Sequence, residues 1–135
     1  MDELSPDVLE RVRSMCEALP ETHEQTAWVG VRWRIRHHTF AHLLMVVDGK
    51  PQSHARAVGT DGPFTVLTFK APASEVEAFA AMGDPYFYGG WGRDSVGLVL
   101  DDDTGWDEVE ELVTDSYREV APRMLVSRLD ASAGA

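Results

Sequence analysis

The chain has 135 residues, of which 44% are hydrophobic, so it is long enough to bury the core of one domain and needs no second domain. No window approaches the roughly 18 to 20 apolar residues of a membrane span, and the acidic start of the chain is unlike a secretory signal, so we expect a cytoplasmic protein with no membrane partner. Cys16 is the single cysteine, which excludes an intrachain disulfide and every zinc site built on cysteines.

The net charge of −11 is unevenly distributed along the chain. Residues 1–27 carry a net charge of −5 and residues 71–135 carry −10, whereas residues 28–70 carry +4. A protein with segregated charge can present a local positive field while the remaining surface keeps it dissolved. The alternative interpretation is that the acidic side chains simply cover the solvated faces of helices.

The first predicted element is a helix that begins at Ser5-Pro6-Asp7, where a hydroxyl cap, a proline and an acidic residue follow one another. Apolar residues recur at helical spacing from Val8 to Leu19, and Pro20 ends the helix. Cys16 lies on this apolar stripe. Because burial raises the pKa of a thiol, Cys16 is not expected to act as a nucleophile. Residues 21–27 are expected to form a polar connection.

The next segment, Trp28 to Arg36, has the two-residue alternation of a half-buried strand. Its apolar residues fall on one face and its arginines on the other, which predicts a strand with a basic outer face. The inner face consists of Val29, Val31, Trp33 and Ile35, and the outer face carries Arg32, Arg34 and Arg36.

Further strands are predicted on both sides of a polar segment, 50–57, which is itself expected to be a strand or a loop. Residues 40–47 form an apolar run that ends at the turn dipeptide Asp48-Gly49. Residues 64–70 are rich in β-branched and aromatic residues, which favour a strand.

The second half of the chain is predicted to contain two helices separated by a loop and a strand. The first helix begins near Pro72 and ends at Gly83. A loop of aromatic residues and glycines, 84–92, leads into a strand at 95–100. The last helix runs from about Asp103 to Pro122, with its acidic residues on the solvated face.

These elements predict a single α+β domain, in which helices pack on one face of an antiparallel sheet in the order α-β-β-β(-β)-α-β-α. We place the domain at residues 1–126 and expect residues 127–135, which are rich in small side chains, to be a disordered tail. The other face of the sheet would be open and would carry the arginine side of the strand that begins at Trp28.

Several short segments form a series along the chain: Cys16 with Leu19-Pro20-Glu21-Thr22, Trp28 to Ile35 continuing into Thr39-Phe40-Ala41, Phe69-Lys70, Asp84-Pro85-Tyr86-Phe87, and Ser116-Tyr117 through Ala121-Pro122-Arg123. This series resembles the MmcQ/YjbR-like family, small bacterial domains that are often labelled DNA-binding. The resemblance covers roughly residues 8–126. It implies a compact α+β fold and a proposed DNA-binding surface.

The basic segment predicts weak and salt-dependent binding of nucleic acid, because Lys and Arg side chains supply most non-specific affinity by neutralising phosphates. Strong binders make on the order of 6 to 10 such contacts, so these cations suffice for weak binding if they converge. No predicted helix is basic, which argues against reading of the major groove by a helix. The candidate residues are Arg32, Arg34, Arg36, His38, Lys50, Arg56 and Lys70.

The alternative function is the capture of a small molecule or a peptide in a pocket of aromatic side chains. The candidate pocket residues are Trp28, Trp33, Tyr86, Tyr88 and Trp91. A purely structural interpretation of the same residues, as core or as a lid over the sheet, remains open. Binding of a neutral ligand would respond little to salt, unlike binding of phosphates.

No metal site, cofactor or catalytic centre is predicted. The four histidines His37, His38, His42 and His54 carry imidazole groups, but adjacent histidines on a strand point to opposite faces, and a zinc site needs three or four converging ligands. The sequence contains no nucleophile elbow, phosphate-binding loop, zinc-protease motif or dinucleotide fingerprint. We therefore expect a non-enzymatic binding domain.

Overall fold

The computed structural model describes residues 3–90 and 92–133, which form five helices and one six-stranded sheet. Among the described residues, none of the helices combines the length and apolar character that crossing a membrane would require. In chain order the elements are α1 (Pro6–Glu17), β1 (His23–Thr26), β2 (Val31–Ile35), β3 (His38–Val46), α2 (Gln52–Val58), β4 (Phe64–Lys70), α3 (Ala73–Met82), β5 (Tyr86–Phe87), β6 (Ser95–Leu100), α4 (Trp106–Val120) and α5 (Arg123–Ala133).

The strands lie in the order β1-β2-β3-β4-β6-β5, and all neighbouring strands are antiparallel. The chain leaves the sheet after β4 to form α3, and β5 then pairs with the outer side of β6. The predicted fold class, a single α+β domain with an antiparallel sheet, is confirmed.

The larger hydrophobic core lies between one face of the sheet, called here the helical face, and the helices α1, α3, α4 and α5. Trp33 is fully buried in this core, and its Nε1 donates a hydrogen bond to Glu24 Oε1 on β1 at 3.2 Å. Phe40 packs edge-on against Tyr117 of α4, with ring centroids 5.6 Å apart. Since Trp33 and Ile35 both enter this core, the arginine between them faces the other side of the sheet.

The face opposite these four helices, called here the open face, is partly covered by α2 and corrects the prediction that helices pack on one face. A second cluster joins Leu44 and Val66 of the sheet to Ala55 of α2 and Phe87 of β5. The apolar run in β3 explains this arrangement, because adjacent residues of one strand point to opposite faces and both faces there are buried. The segment 50–57, predicted as a strand or a loop, therefore contains a helix.

Three more segments differ from the sequence predictions. β1 occupies the predicted polar connection, and its residues are all exposed because it is an edge strand. β5 lies within the predicted aromatic loop. Residues 127–133 belong to α5 rather than to a disordered tail, because Leu125 is fully buried and Leu129 packs on the same core one helical turn later.

The predicted strand Trp28–Arg36 begins only at Val31, because the chain bends sharply at Gly30. Gly30 has a φ of +76°, and a Cβ atom there would lie 2.1 Å from the carbonyl oxygen of Leu43, so only glycine fits. The bend places Val29 in the second cluster, on the open face, rather than beside Val31 and Trp33 as predicted.

Candidate functional site: a cationic cleft on the open face

Strand register brings polar side chains together at the end of the open face that α2 leaves uncovered. Arg32 of β2 lies opposite His42 of β3, which lies opposite Thr68 of β4. Further along the sheet, Lys70 at the end of β4 lies opposite Ser95 at the start of β6. Directly opposed residues share a face of an antiparallel sheet, so all of these side chains project from the open face.

These residues line a cavity of about 220 Å³, called here the cationic cleft. None of the described residues that line it is acidic, whereas four other cavities on the described surface each contain at least two acidic side chains. In a chain with 23 acidic residues this separation is informative. The lining residues are Arg32, Thr39, Phe40, Ala41, His42, His54, Thr68, Phe69, Lys70 and Ser95.

A bulge in β3 shapes one end of the cleft. The register changes between Trp33 and Arg34, which leaves Phe40 as an extra residue opposite β2. Phe40 and Ala41 consequently both enter the larger core, although they are adjacent in sequence. Thr39 is thereby paired with Arg34 and contributes to the cleft.

Ser116 of α4 holds this bulge against the end of β4. Its hydroxyl donates to the carbonyl oxygen of Phe40 at 2.5 Å and accepts a hydrogen bond from the backbone N–H of Lys70 at 2.7 Å. Ser116 is fully buried, so both contacts are sheltered from water. A hydroxyl in the middle of a helix usually bonds to its own helix, whereas this one connects the two strands that flank the cleft.

The cations of the open face are oriented by neutral or exposed partners. Arg32 Nε donates to Gln25 Oε1 at 2.8 Å, and Lys70 Nζ donates to Ser95 Oγ at 2.9 Å and lies 3.4 Å from the exposed Asp94 carboxylate. Arg34 donates from Nη2 to the carbonyl oxygen of His37 at 2.6 Å. Its Nε is buried with no hydrogen-bond partner among the described residues.

Two histidines form the inner wall of the cleft. His42 Nε2 lies 2.5 Å from the carbonyl oxygen of Val29, so this nitrogen carries the hydrogen. Burial lowers the pKa of His42, and nearby Arg32 lowers it further against the opposing effect of the hydrogen bond. Burial and then the proximity of His42 lower the pKa of His54. Both rings are therefore neutral near pH 7.

The seven candidate nucleic-acid residues do not all converge. Arg32 and Lys70 line the cleft, and Arg34 lies on the same face. The remaining four are exposed elsewhere: Arg36 lies in the turn after β2, 3.7 Å from Glu21, His38 begins β3, Lys50 follows the turn after β3, and Arg56 lies on α2.

The aromatic candidates are even more dispersed. Trp33 is fully buried. Tyr86 is also buried, and burial, followed by the hydrogen bond that its hydroxyl donates to Glu108, raises the pKa of Tyr86 to about 12. Trp28 is fully exposed and Tyr88 is partly exposed. Trp91 lies outside the described residues. A fully buried tryptophan and a fully exposed one cannot form walls of one pocket, so this set does not constitute a single aromatic site.

Sequence reasoning did not select the neutral members of the cleft, His42, His54, Thr68 and Ser95. Strand register brings His42, Thr68 and Ser95 together, and the unexpected helix α2 adds His54. Among the described residues, no group of three or more His, Cys, Asp or Glu side chains is placed to hold a metal ion.

The comparisons with known proteins agree with this architecture. The family model for YjbR matches residues 17–119, more than half of the chain. No curated protein matches the sequence significantly.

Two solved structures have a similar fold. A protein from Pseudomonas syringae superposes with a TM-score of 0.62 at 13% identity, over 86% of this chain and 98% of that one. A Deinococcus radiodurans protein with a DUF419 domain superposes with a TM-score of 0.63 at 17% identity, over 90% of this chain and 87% of that one. At these identities the two structures support the fold alone, while the family match covers the elements that build the cleft. The chain therefore belongs to the YjbR family.

Proposed function

We propose that this protein is a non-enzymatic binding domain that binds nucleic acid weakly, with phosphate groups held at the cationic cleft. The observation that carries the proposal is that Arg32 and Lys70 line one cleft whose described lining residues include no carboxylate, on a chain whose net charge is −11. Asp94, 3.4 Å from Lys70 Nζ, is exposed and lies outside this lining. Cations flanked by hydroxyl groups suit phosphate oxygens, because both groups donate hydrogen bonds.

The strength of binding follows from the number of cations in and beside the cleft. Arg32, Arg34 and Lys70 provide three contacts at most, fewer than the 6 to 10 or so of strong binders. The acidic helices surrounding the sheet add repulsion at long range, which salt screens. We therefore expect weak binding whose affinity falls with salt at a logarithmic slope of roughly −2 to −3.

The test is fluorescence anisotropy with labelled random-sequence single-stranded and duplex DNA, measured over a series of salt concentrations. The variant Arg32→Glu/Lys70→Glu should abolish binding, because it reverses both charges within the cleft. Arg123→Glu is a matched control, since this exposed arginine lies on α5 on the opposite side of the sheet.

The binding measurement has three informative outcomes. Loss of binding in the cleft variant with retention in the Arg123 variant supports the proposal. Binding that is flat with salt, or equally affected by both variants, contradicts a specific role for the cleft. Absence of binding by the unmodified protein to either DNA at low salt overturns the proposal.

A further inference from the structure

An exposed tryptophan lies in the loop between β1 and β2, one residue before Val29. Trp28 has an exposed fraction of 102%, so its indole touches essentially nothing in the protein. The loop is nevertheless closed, because the backbone N–H of Ala27 donates to the carbonyl oxygen of Gly30 at 3.0 Å. An indole carries a large apolar surface that is usually at least partly buried. Its complete exposure on a closed loop requires an explanation.

The contacts of the next residue fix this loop onto the open face. Val29 packs in the second cluster with Ala55 of α2, and its carbonyl oxygen accepts a hydrogen bond from His42, which lines the cleft. Backbone geometry limits the distance from that oxygen to the Cα atom of Trp28 to about 6 Å. The backbone of Trp28 is thus held close to His42, which lines the cleft.

An aromatic platform beside a cationic groove is the combination that binds single-stranded nucleic acid. Bases stack on the aromatic ring whatever their identity, while the cations follow the backbone phosphates. A duplex does not offer this contact, since each base is already stacked between its neighbours.

Helices α1 and α4 also lack a surface suited to a duplex groove. The exposed side of α4 carries Asp107, Glu110 and Glu111. On α1, Arg13 is paired with Glu10 and Glu24, and Arg11 lies over the ring of Trp106. Arg11 and Arg13 thus contact other side chains of the protein, and both lie on α1, which packs against the helical face.

We propose that the ligand is single-stranded nucleic acid, with a base stacked on Trp28 and an adjacent phosphate held between Arg32 and Lys70 in the cationic cleft. This inference rests on the proposed function and specifies the form of nucleic acid that the site accepts. The cleft volume of about 220 Å³ suits a phosphate with part of its sugar, and leaves the base outside, next to the indole.

The experiment compares two labelled probes of about 12 nucleotides, a length within the range of one single-strand site. One is oligothymidylate, and the other is an abasic oligomer with the same number of phosphates. The unmodified protein should bind oligothymidylate more tightly by about 5- to 150-fold, the range for stacking one base on an aromatic ring.

Two variants isolate the aromatic contact. Trp28→Leu keeps an apolar side chain but removes the ring, and it should bind both probes with the same low affinity. Trp28→Phe keeps a ring and should retain most of the preference for oligothymidylate. Because Trp28 is fully exposed, neither substitution should alter the thermal unfolding of the protein, which serves as the check on folding.

Each outcome distinguishes this inference from the proposed function. Equal binding of the two probes by the unmodified protein, or a preference that survives in Trp28→Leu, overturns stacking on Trp28 while phosphate binding stands. Tighter binding of a duplex than of oligothymidylate overturns the single-strand preference. If neither single strand nor duplex binds at low salt, the proposed function falls, and this inference falls with it.

Discussion

The two faces of the sheet use the same strands in opposite ways. On the helical face, residues such as Trp33, Ile35 and Leu67 are sealed beneath four helices. On the open face, α2 and its cluster cover one end, and the other end presents Arg32 and Lys70 around a cleft. Because side chains alternate along each strand, those on the helical face form the larger core. Those at the uncovered end of the open face form an exposed polar surface.

This difference separates residues that are adjacent in sequence. Arg32 and Trp33 are neighbours in β2, yet one lines the cleft and the other is fully buried. Substitutions of the cleft cations Arg32 and Lys70 should therefore alter binding while leaving the free energy of unfolding nearly constant. Substitutions on the helical face should have the reverse effect, which can be measured directly.

The largest expected effect compares two tryptophans that lie five positions apart. Trp33→Ala should reduce the free energy of unfolding by about 3 to 5 kcal/mol, since it removes a fully buried ring and leaves a cavity. Trp28→Ala should change it by less than about 0.5 kcal/mol. Urea denaturation followed by circular dichroism measures both values. If Trp33→Ala does not fold, Trp33→Phe provides a smaller loss on the same site. Similar losses for Trp28→Ala and the Trp33 variants would contradict the comparison of the two faces.

The next effect concerns the Ser116 hydroxyl, which joins β3 to β4. Ser116→Ala should lower the free energy of unfolding by about 1 to 3 kcal/mol, because the partly buried N–H of Lys70 and the buried carbonyl of Phe40 lose their partner. The matched control is Thr114→Ala on the same helix, whose hydroxyl bonds only to the carbonyl of Glu110 at the surface and should matter little. Alanine has the highest helix propensity, so propensity favours both variants and cannot cause a loss. Equal losses in both variants would therefore contradict a special role for the bridge between the strands.

Most of the helical face was predictable from periodicity. The alternation from Val31 to Ile35, the strand 64–70 and the apolar stripe of α1 each reflect burial on a single side, which leaves a clear pattern in sequence. Elements without such a pattern were missed. β1 is an exposed edge strand, and α2 has only seven residues. α5 follows Pro122 closely and is rich in small side chains, so the sequence predicts the end of the last helix at Pro122 and a disordered tail from residue 127.

The site was predictable only in part, because it depends on register. The charge pattern of the sequence points to Arg32, Arg34 and Lys70. The alternation in β2 also places Arg32 and Arg34 on the face opposite Trp33, as the structure has them. The bulge at Phe40 and the fold of α2 then determine which neutral groups join them. The bend at Gly30, which carries Val29 onto the open face, is signalled by a single glycine within an otherwise regular alternation, and so periodicity alone did not reveal it.

The smallest expected effect is a loss of stability on mild acidification, and it comes from the open face. His42 and His54 have pKa values below the ordinary 6.5, mainly because of burial, and the positive charge of Arg32 acts in the same direction on His42. An unfolded chain binds protons at these histidines as the pH falls through 6.5, whereas the folded chain resists protonation until the lower pKa is reached. The free energy of unfolding should therefore decline between pH 7 and pH 5 or so.

Urea denaturation at several pH values measures this decline, and two features sharpen the measurement. The lowered pKa of Glu24, caused chiefly by its hydrogen bond with Arg13, affects stability only as the pH falls below about 4.5, outside this window. His42→Gln removes one of the two titrating groups while keeping an amide that can donate to Val29, so its decline should be shallower. A stability that is constant or rises on acidification would contradict neutral, buried histidines at the cleft. If the decline is unchanged in His42→Gln, the pH dependence comes from His54, and the protonation of His42 does not contribute to it.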